Sequence, residues 1–337
     1  MPEHIVSLAQ IQEARPVVAA KVHQTPLLSS ETAARFVEAA TGILPADGRI
    51  YLKAEHLQKT GSFKPRGMTW KIASLRADER TRGIITLSAG NAAQAYAWAG
   101  RTAGVPVTVV MPAAAVRSKV DACLGYGAEV ILHGADVGEA LLEMERVRDV
   151  RGLTYCHPFD DPFVIAGHGS IGLEILDDLP EVDVVVAGIG GGGLISGVSA
   201  ALKESRPGVR VYGVEPERSN AMSLALEQGE VVQIQPVSIA DGLGAPFAGR
   251  WTLAMVRQYV DGIVLLDDPL IMAGMRFAAE RMKQVFEPAG AAALAALLAG
   301  RIPLRNGDRV AVVASGGNVE VSRIGEFFAG ASALPGA

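Results

Sequence analysis

Residues 58–67 read Gln-Lys-Thr-Gly-Ser-Phe-Lys-Pro-Arg-Gly and stand between two segments of different periodicity. The alternating apolar and polar residues of 50–55 predict a strand, and residues 68–75 have helical character. Lys64 therefore follows a strand and precedes a helix, beside the aromatic ring of Phe63. A lysine amine in such a place can act as a nucleophile towards carbonyl compounds. Most lysines are solvated surface charges, so Lys64 alone does not identify a reactive site.

The composition predicts a compact globular protein without a nucleic-acid or membrane partner. Of the 337 residues, 49% are hydrophobic and 20% are charged, which suffices for a large core and two lobes. The formal net charge of −5 argues against a nucleic-acid or anionic membrane surface. No apolar stretch is long enough to span a bilayer, and residues 1–10 lack a signal-peptide pattern. Cys123 and Cys156 lie far apart, which suggests reduced thiols and a cytoplasmic location.

Short apolar runs rich in β-branched residues alternate with helical segments along the chain. The predicted strands are 83–87, 105–111, 129–132, 153–156, 182–188, 209–214, 263–266 and 309–314, and the predicted helices include 7–22, 92–102, 115–125, 138–150 and 271–285. This alternation predicts an α/β fold with mostly parallel sheets covered by helices. The strands would crowd one sheet, so we expect two sheets in two lobes. Parallel sheets bind ligands outside the carboxyl ends of their strands, which makes the residues after each strand the candidates.

Ser88-Ala89-Gly90-Asn91 lies directly between a predicted strand and a predicted helix. Backbone N–H groups at such a helix start favour an anion, for example an amino-acid carboxylate. The small side chains let the backbone approach a ligand, and the amide of Asn91 could bond a phenolic oxygen. An ordinary turn has the same composition, so this tetrapeptide carries weight only together with other motifs.

Residues 188–194 read Gly-Ile-Gly-Gly-Gly-Gly-Leu and join a strand to a helix. Four successive glycines place several backbone N–H groups around one anion, which suits a phosphate. Gly188, Gly190 and Gly193 also satisfy the G-x-G-x-x-G fingerprint, and Glu215 follows at the spacing of a ribose-binding acid. NAD therefore remains an alternative ligand for this unit, although four glycines exceed what the fingerprint requires.

Three further loops complete the set of candidates. Ser315-Gly316-Gly317-Asn318 follows the last predicted strand, and its hydroxyl could bond a heterocyclic nitrogen. Glu287-Pro288-Ala289-Gly290 opens an alanine-rich helix, where an acid is favourable to the helix dipole. Residues 240–244 form a glycine-rich loop with no role evident from physics alone. The histidines show no metal-binding spacing, and no metal site is predicted.

Taken in order, these motifs resemble those of one known family. The run from Lys53 to Gly67, Ser-Ala-Gly-Asn, the four glycines, Glu-Pro-Ala-Gly and Ser-Gly-Gly-Asn are similar to motifs of the serine/threonine dehydratases, also called threonine ammonia-lyases. These are fold-type II enzymes that use pyridoxal phosphate and are related to the tryptophan synthase β chain. The resemblance covers residues 22–321. It implies an amino-acid substrate and a homo-oligomer, either a dimer or a tetramer.

The resemblance also implies a role for each candidate residue. Lys64 would be the Schiff-base lysine and the catalytic base, with Phe63 beside the cofactor ring. The other cofactor-binding residues would be Gly190, Gly191, Gly192, Gly193 and Leu194 at the phosphate, Asn91 at the phenolic oxygen and Ser315 at the ring nitrogen. The substrate-binding residues would be Ser88, Ala89, Gly90, Asn91, Gly242 and Glu287. The implied large domain comprises residues 1–82 and 158–337, with residues 83–157 as a small inserted domain.

The implied reaction is β-elimination of water from L-threonine, L-serine or both, which yields a 2-oxo acid and ammonia. A 3-hydroxyaspartate dehydratase or a related hydroxyamino-acid dehydratase remains an alternative, because the side-chain pocket cannot be identified from the sequence. Ala89 replaces the serine base of family racemases, and Pro65 disfavours a threonine synthase. Ala221 replaces an acid of metal-binding relatives, which argues against a cation beside Glu215. Hypotheses from other classes are a NAD-binding oxidoreductase and a non-catalytic sensor.

Overall fold

The computed structural model describes residues 4–335, which form two β-sheets with helices packed around them. The strands are β1 (Leu27–Ser30), β2 (Ile50–Lys53), β3 (Ile84–Leu87), β4 (Val107–Met111), β5 (Glu129–Leu132), β6 (Thr154–Tyr155), β7 (Val184–Gly188), β8 (Arg210–Pro216), β9 (Gly262–Leu266) and β10 (Val310–Val313). The helices are α1 (Leu8–Ala19), α2 (Glu31–Thr41), α3 (Pro65–Ala73), α4 (Ala77–Arg82), α5 (Asn91–Ala103), α6 (Arg117–Gly125), α7 (Val137–Arg151), α8 (Pro162–Asp178), α9 (Gly193–Ser205), α10 (Ala221–Gln228), α11 (Arg250–Tyr259), α12 (Asp268–Phe277), α13 (Pro288–Leu298) and α14 (Ile324–Ala329).

The larger sheet has the strand order β1-β2-β10-β7-β8-β9, and the smaller has the order β5-β4-β3-β6. Apart from β1, which pairs antiparallel with β2, the strands of the described residues pair in parallel. Strand β7 is buried along its whole length, as expected for a strand covered by helices on both faces. The predicted α/β fold with mostly parallel sheets is confirmed.

The smaller sheet is built from residues between Ile84 and Tyr155, within the segment predicted as the small domain. The larger sheet takes its strands from both sides of that segment. The division into residues 1–82 with 158–337 and residues 83–157 stays a prediction. Between residues 4 and 335, no helix combines the length and the apolarity that crossing a bilayer requires.

Two elements differ from the sequence-based expectation. Strand β1 lies beyond the end of the predicted helix 7–22, in a segment where the sequence predicted no strand, and it forms the antiparallel edge of the larger sheet. Helix α8 was not predicted at all, although it packs against α1, α3 and α9 in the middle of the structure. Its residues from Val164 to Ile175 are all buried, so it has no polar face to produce a helical period.

Candidate active site

The sequence-predicted site residues line one cavity of about 320 Å³ at the carboxyl ends of β3, β7 and β10. The predicted residues on its wall are Phe63, Lys64, Ser88, Ala89, Gly90, Asn91, Gly190, Gly191, Gly192, Gly193, Leu194, Gly242, Glu287 and Ser315. Parallel strands place their carboxyl ends on one edge of a sheet, and here the edges of both sheets contribute to the same cavity. The structure therefore brings these residues together, while their roles stay predictions.

Lys64 lies at the start of α3, where Pro65 begins the helix. Its Nζ donates a hydrogen bond to the carbonyl oxygen of Pro158 at 3.0 Å and lies 5.1 Å from the centre of the Phe63 ring. Burial lowers the pKa of the Lys64 amine to about 8, and the Glu287 carboxyl opposes this shift when it is ionised. A substantial fraction of this amine is therefore neutral, and hence nucleophilic, near pH 8.

The four glycines after β7 form a turn that has no room for side chains. A Cβ on Gly191 would lie 2.4 Å from the ring of Phe159, and one on Gly193 would lie 2.9 Å from the Phe159 carbonyl oxygen. Gly192 has φ +91°, in the left-handed region that favours glycine, and a Cβ there would meet Met222 at 2.6 Å. Glycine is thus required here by close packing as well as by the backbone.

This glycine turn can hold an anion. Within residues 4–335, the amides of Gly190, Gly191 and Gly192 have no hydrogen-bond acceptor, while the neighbouring Ile189 amide donates to β8. Helix α9 begins at Gly193, so its positive dipole end faces the same cavity. Free amides and a helix start in one place suit a phosphate group.

The turn between β3 and α5, which belongs to the smaller sheet, lines the same cavity as the glycine turn. Asn91 begins α5, and its Nδ2 donates a hydrogen bond to Glu287 Oε1 at 2.7 Å. Asn318 Nδ2 donates to Asn91 Oδ1 at 2.8 Å and to the carbonyl oxygen of Thr60 at 2.7 Å. The Asn91 amide is therefore held between two loops of the larger sheet, which fixes its orientation at the cavity wall.

Glu287 precedes α13 and is 4% exposed. Burial is the main cause that raises the pKa of this carboxyl to about 8, and the nearby charge of Asp241 is the second. The charge of Lys119 and the hydrogen bonds from the Asn91 side chain and the Asn318 backbone amide oppose the shift. Glu287 therefore carries a proton near neutral pH. A neutral carboxyl in the cavity can donate a hydrogen bond as well as accept one.

Ser315 follows β10 and is buried, and its hydroxyl donates a long hydrogen bond of 3.4 Å to the carbonyl oxygen of Ala289. Its carbonyl oxygen accepts from the Phe63 amide at 3.1 Å, and Ser62 forms a β-bridge with Gly316. These contacts join the Ser315 loop to the segment that carries Lys64. The hydroxyl is the polar group that this loop presents to the cavity.

Sequence reasoning missed several residues on the cavity wall. Phe159 packs its ring over Gly191, and Lys119 forms an ion pair with Asp241. Phe159 lies four residues after β6, so the rule that ligands bind after parallel strands, applied to this short strand, would have pointed to it. Lys119 lies within α6 and gave no comparable signal.

Glu215 does not lie where the dinucleotide hypothesis needs it. Its carboxylate accepts hydrogen bonds from the amide of Met222 at 2.8 Å and from the amide and hydroxyl of Ser223 at 2.9 and 2.6 Å. It therefore binds the start of α10 and is not free for a ribose. Across residues 4–335, no group of three or more His, Cys, Asp and Glu side chains is arranged to hold a metal ion.

Comparisons with known proteins agree with this geometry. The sequence profile of the family described as "Pyridoxal-phosphate dependent enzyme" matches residues 18–316. The L-threonine ammonia-lyase of Thermotoga maritima is 43% identical over 321 residues, which cover 95% of this chain and 77% of that protein. The catabolic L-threonine dehydratase TdcB of Staphylococcus aureus is 39% identical over 324 residues, which cover 95% of this chain and 91% of the relative.

A solved structure is also similar over nearly the whole chain. The structure of maize serine racemase superimposes with a TM-score of 0.88 at 32% sequence identity, covering 95% of this chain and 96% of that one. The fold of this chain is therefore that of a known enzyme architecture.

Proposed function

We infer the reaction from one premise: this chain belongs to the family of pyridoxal-phosphate dependent enzymes. It is an ammonia-lyase that deaminates a hydroxyamino acid, and we propose L-threonine, L-serine or both as substrates. The reaction removes the Cα proton and the β-hydroxyl as water, and the resulting enamine hydrolyses to a 2-oxo acid and ammonia. Support for this substrate class comes from the two relatives named for threonine, each aligned over 95% of this chain.

The residues of the cavity fit pyridoxal phosphate. The glycine turn has amides without acceptors and no side chains, which suits the phosphate, and the Lys64 amine with its lowered pKa suits the aldehyde. We propose that Gly190 to Gly193 and Leu194 hold the phosphate, and that Asn91 and Ser315 contact the ring substituents. When bound, the cofactor supplies an electron sink for the negative charge that develops at the substrate Cα.

One observation carries the assignment of the base: the Lys64 amine, with a pKa of about 8, lies on the wall of the same cavity as the glycine turn. We propose that Lys64 Nζ, in its neutral form, accepts the Cα proton. The turn from Ser88 to Asn91 offers the start of α5 to the substrate carboxylate. Gly242 and Glu287 line the side of the cavity towards Asp241.

Ser315 favours elimination over reactions that need a long-lived carbanion. A serine hydroxyl is far too weak an acid to keep a pyridine nitrogen protonated. With an unprotonated nitrogen, a pyridine ring accepts negative charge from the substrate Cα less readily. Loss of the β-hydroxyl disposes of the developing charge at once, which suits dehydration. Racemisation is the second candidate because of the resemblance to maize serine racemase. Ala89, on the cavity wall, offers no group that could exchange a proton on the opposite face.

The test combines cofactor binding with product release. The purified protein with pyridoxal phosphate should show the visible absorption of a bound cofactor, and it should release 2-oxobutyrate from L-threonine and pyruvate from L-serine. Lys64→Ala should lose both properties. Lys59→Ala is the matched control, since Lys59 belongs to the same segment but lies outside the cavity wall. Absence of 2-oxo acid with both substrates, or D-serine as the main product, would refute the proposal.

We further propose a homo-oligomer, a dimer or a tetramer, on the basis of the resemblance to the dehydratases. Light scattering of the purified holoenzyme would measure this directly. We also propose a reducing compartment such as the cytoplasm, because Cys123 and Cys156 are both free and buried. Burial raises the pKa of each thiol to about 12, which keeps both in the unreactive protonated form.

A further inference from the structure

An ion pair between Lys119 and Asp241 crosses from one half of the structure to the other beside the candidate active site. Lys119 projects from α6, next to the smaller sheet, and Asp241 begins the short 3₁₀ turn Asp241–Leu243. Both residues line the active-site cavity and also a second cavity of about 400 Å³. The pair therefore forms part of the wall between the two cavities.

Among residues 4–335, the charges on the active-site wall leave one cation that a substrate side chain could use. The charged residues among the lining groups are Lys64, Lys119, Asp241 and Glu287. Lys64 is assigned to the cofactor, and Glu287 carries a proton near neutral pH. Lys119 is thus the cation that remains, and Asp241 neutralises it.

We propose that the Lys119–Asp241 pair determines the substrate class of the site. It admits hydroxyamino acids with an uncharged side chain and excludes those with a second carboxylate, such as 3-hydroxyaspartate. The inference rests on the proposed function, because it concerns the substrate side chain of that same reaction. It also decides between two dehydratase activities that the sequence left open.

The physical reason is competition for one ammonium group. The Lys119 side chain is 15% exposed and that of Asp241 is 59% exposed, so water screens this pair from the Asp241 side and less from the Lys119 side. A second substrate carboxylate would have to displace Asp241 and would then lie beside its negative charge. Without the charge of Asp241, the same lysine would attract that carboxylate instead. One side chain therefore converts a binding site for dicarboxylates into a site that rejects them.

The first experiment measures binding without turnover. Isothermal titration of the holoenzyme with succinate and with butyrate compares a dicarboxylate with a monocarboxylate of the same chain length. In Asp241→Asn, the succinate Kd relative to the butyrate Kd should fall by about tenfold, which corresponds to about 1.4 kcal/mol. In Lys119→Gln, the same ratio should rise. The titrations are made at about pH 6.5, which lies below the pKa of about 8 that burial chiefly gives the Glu287 carboxyl.

Glu320→Gln is the matched control for a general change of charge. Glu320 lines the second cavity but not the active-site cavity, and its removal changes the net charge by the same amount. For Glu320→Gln, the ratio of the succinate Kd to the butyrate Kd should stay within about twofold of the wild-type ratio. The reason is that exposed charges are screened over a distance of about 8 Å at physiological salt. An equal effect of Glu320→Gln and Asp241→Asn would overturn the inference.

The second experiment measures turnover of L-threonine and 3-hydroxy-L-aspartate by release of their 2-oxo acids. The ratio of kcat/KM for 3-hydroxy-L-aspartate to that for L-threonine should rise about tenfold in Asp241→Asn. Suppose that wild type turns over threonine while Asp241→Asn leaves two ratios unchanged: the succinate Kd over the butyrate Kd, and kcat/KM for 3-hydroxy-L-aspartate over that for L-threonine. This result would overturn the inference and leave the proposed function intact. Failure of wild type to act on threonine and serine would refute the proposed function, and the titrations would still decide the role of the ion pair.

Discussion

At the scale of single residues, the surroundings of Lys64 lower the pKa of its amine. A solvated lysine has a pKa near 10.4 and is almost wholly protonated at neutral pH. Burial beside the Phe63 ring lowers the pKa of Lys64 to about 8, and its Nζ is held by the Pro158 carbonyl oxygen. Burial thereby raises the neutral fraction of this one amine.

This pKa gives a pH dependence for the attachment of the cofactor to the apoenzyme. Only the neutral amine is nucleophilic, so the attachment rate should rise about tenfold per pH unit below pH 8 and level off above it. The direction follows from the lowered pKa, because the proton is lost at a lower pH than in free lysine. Absorbance after mixing apoenzyme with pyridoxal phosphate measures the rate. Nα-acetyl-lysine under the same conditions is the control, and its midpoint should lie near 10.4. A midpoint for the apoenzyme close to that of the control would contradict the prediction.

Residues in the loops directly after strands were the ones that the sequence could identify. Lys64, Asn91 and Ser315 stand in short motifs at strand ends or helix starts, where local geometry already determines which way the backbone runs. Lys119 and Asp241 could not be paired in this way, because their contact depends on how α6 packs against a loop from the other half. Long side chains that meet across a cleft leave no periodic signal in either segment.

At the scale of single elements, the turn between β7 and α9 depends on its packing against Phe159. In Gly191→Ala, the added Cβ would lie 2.4 Å from the Phe159 ring, so the ring or the turn must move. Overpacking of this kind costs about 1–3 kcal/mol. We expect the Kd for pyridoxal phosphate to increase about tenfold or more, since each 1.4 kcal/mol lost from binding is a factor of about ten. Fluorescence titration of the apoenzyme measures it.

Two further variants separate the packing effect from a general effect of alanine. Gly125→Ala, in α6, has open space around its Cβ and should leave the cofactor affinity unchanged. Adding Phe159→Leu to Gly191→Ala removes the ring atoms that the new Cβ meets, and should restore part of the affinity. Equal affinity in Gly191→Ala and wild type would show that the turn does not depend on this contact.

The elements themselves were predictable to unequal degrees. The helix predicted over residues 7–22 corresponds to α1, whose start is fixed by a capping box between Ser7 and Gln10, two local partners that the sequence displays. Helix α8 was missed because its own residues, among them glycine, alanine and isoleucine, are buried on every side of the helix. A helix that packs on α1, α3 and α9 at once shows no amphipathic period, so tertiary structure determines it more than local pattern does.

At the scale of the whole molecule, a buried ionic cluster joins the segment of Lys64 to the helices behind it. Arg66, on α3, donates to both oxygens of Glu55 at 2.8 Å and to the oxygens of Glu174, on α8, at 2.6 and 2.8 Å. Lys53, at the end of β2, also contacts Glu174 at 2.7 Å. Arg66, Lys53 and Glu55 are each 0% exposed. The cluster therefore connects β2, α3 and α8 beneath the active site, where water cannot replace a lost contact.

Because the guanidinium of Arg66 binds two carboxylates at once, lysine cannot replace it. The single ammonium of Arg66→Lys could not bind both carboxylates at once. Glu174 would keep its contact with Lys53, so Glu55 is the carboxylate that would be left buried without a cation. Breaking a buried ion pair costs about 3–5 kcal/mol. We expect the free energy of unfolding of the holoenzyme, measured by urea denaturation, to fall by about that amount. Arg146→Lys is the control, because Arg146 binds Glu143 on the exposed face of α7 and its side chain is 62% exposed. That change should alter the unfolding free energy by less than about 0.5 kcal/mol. Similar losses in the two variants would mean that the buried cluster contributes no more than a surface ion pair, and that apolar packing alone holds α3 against α8.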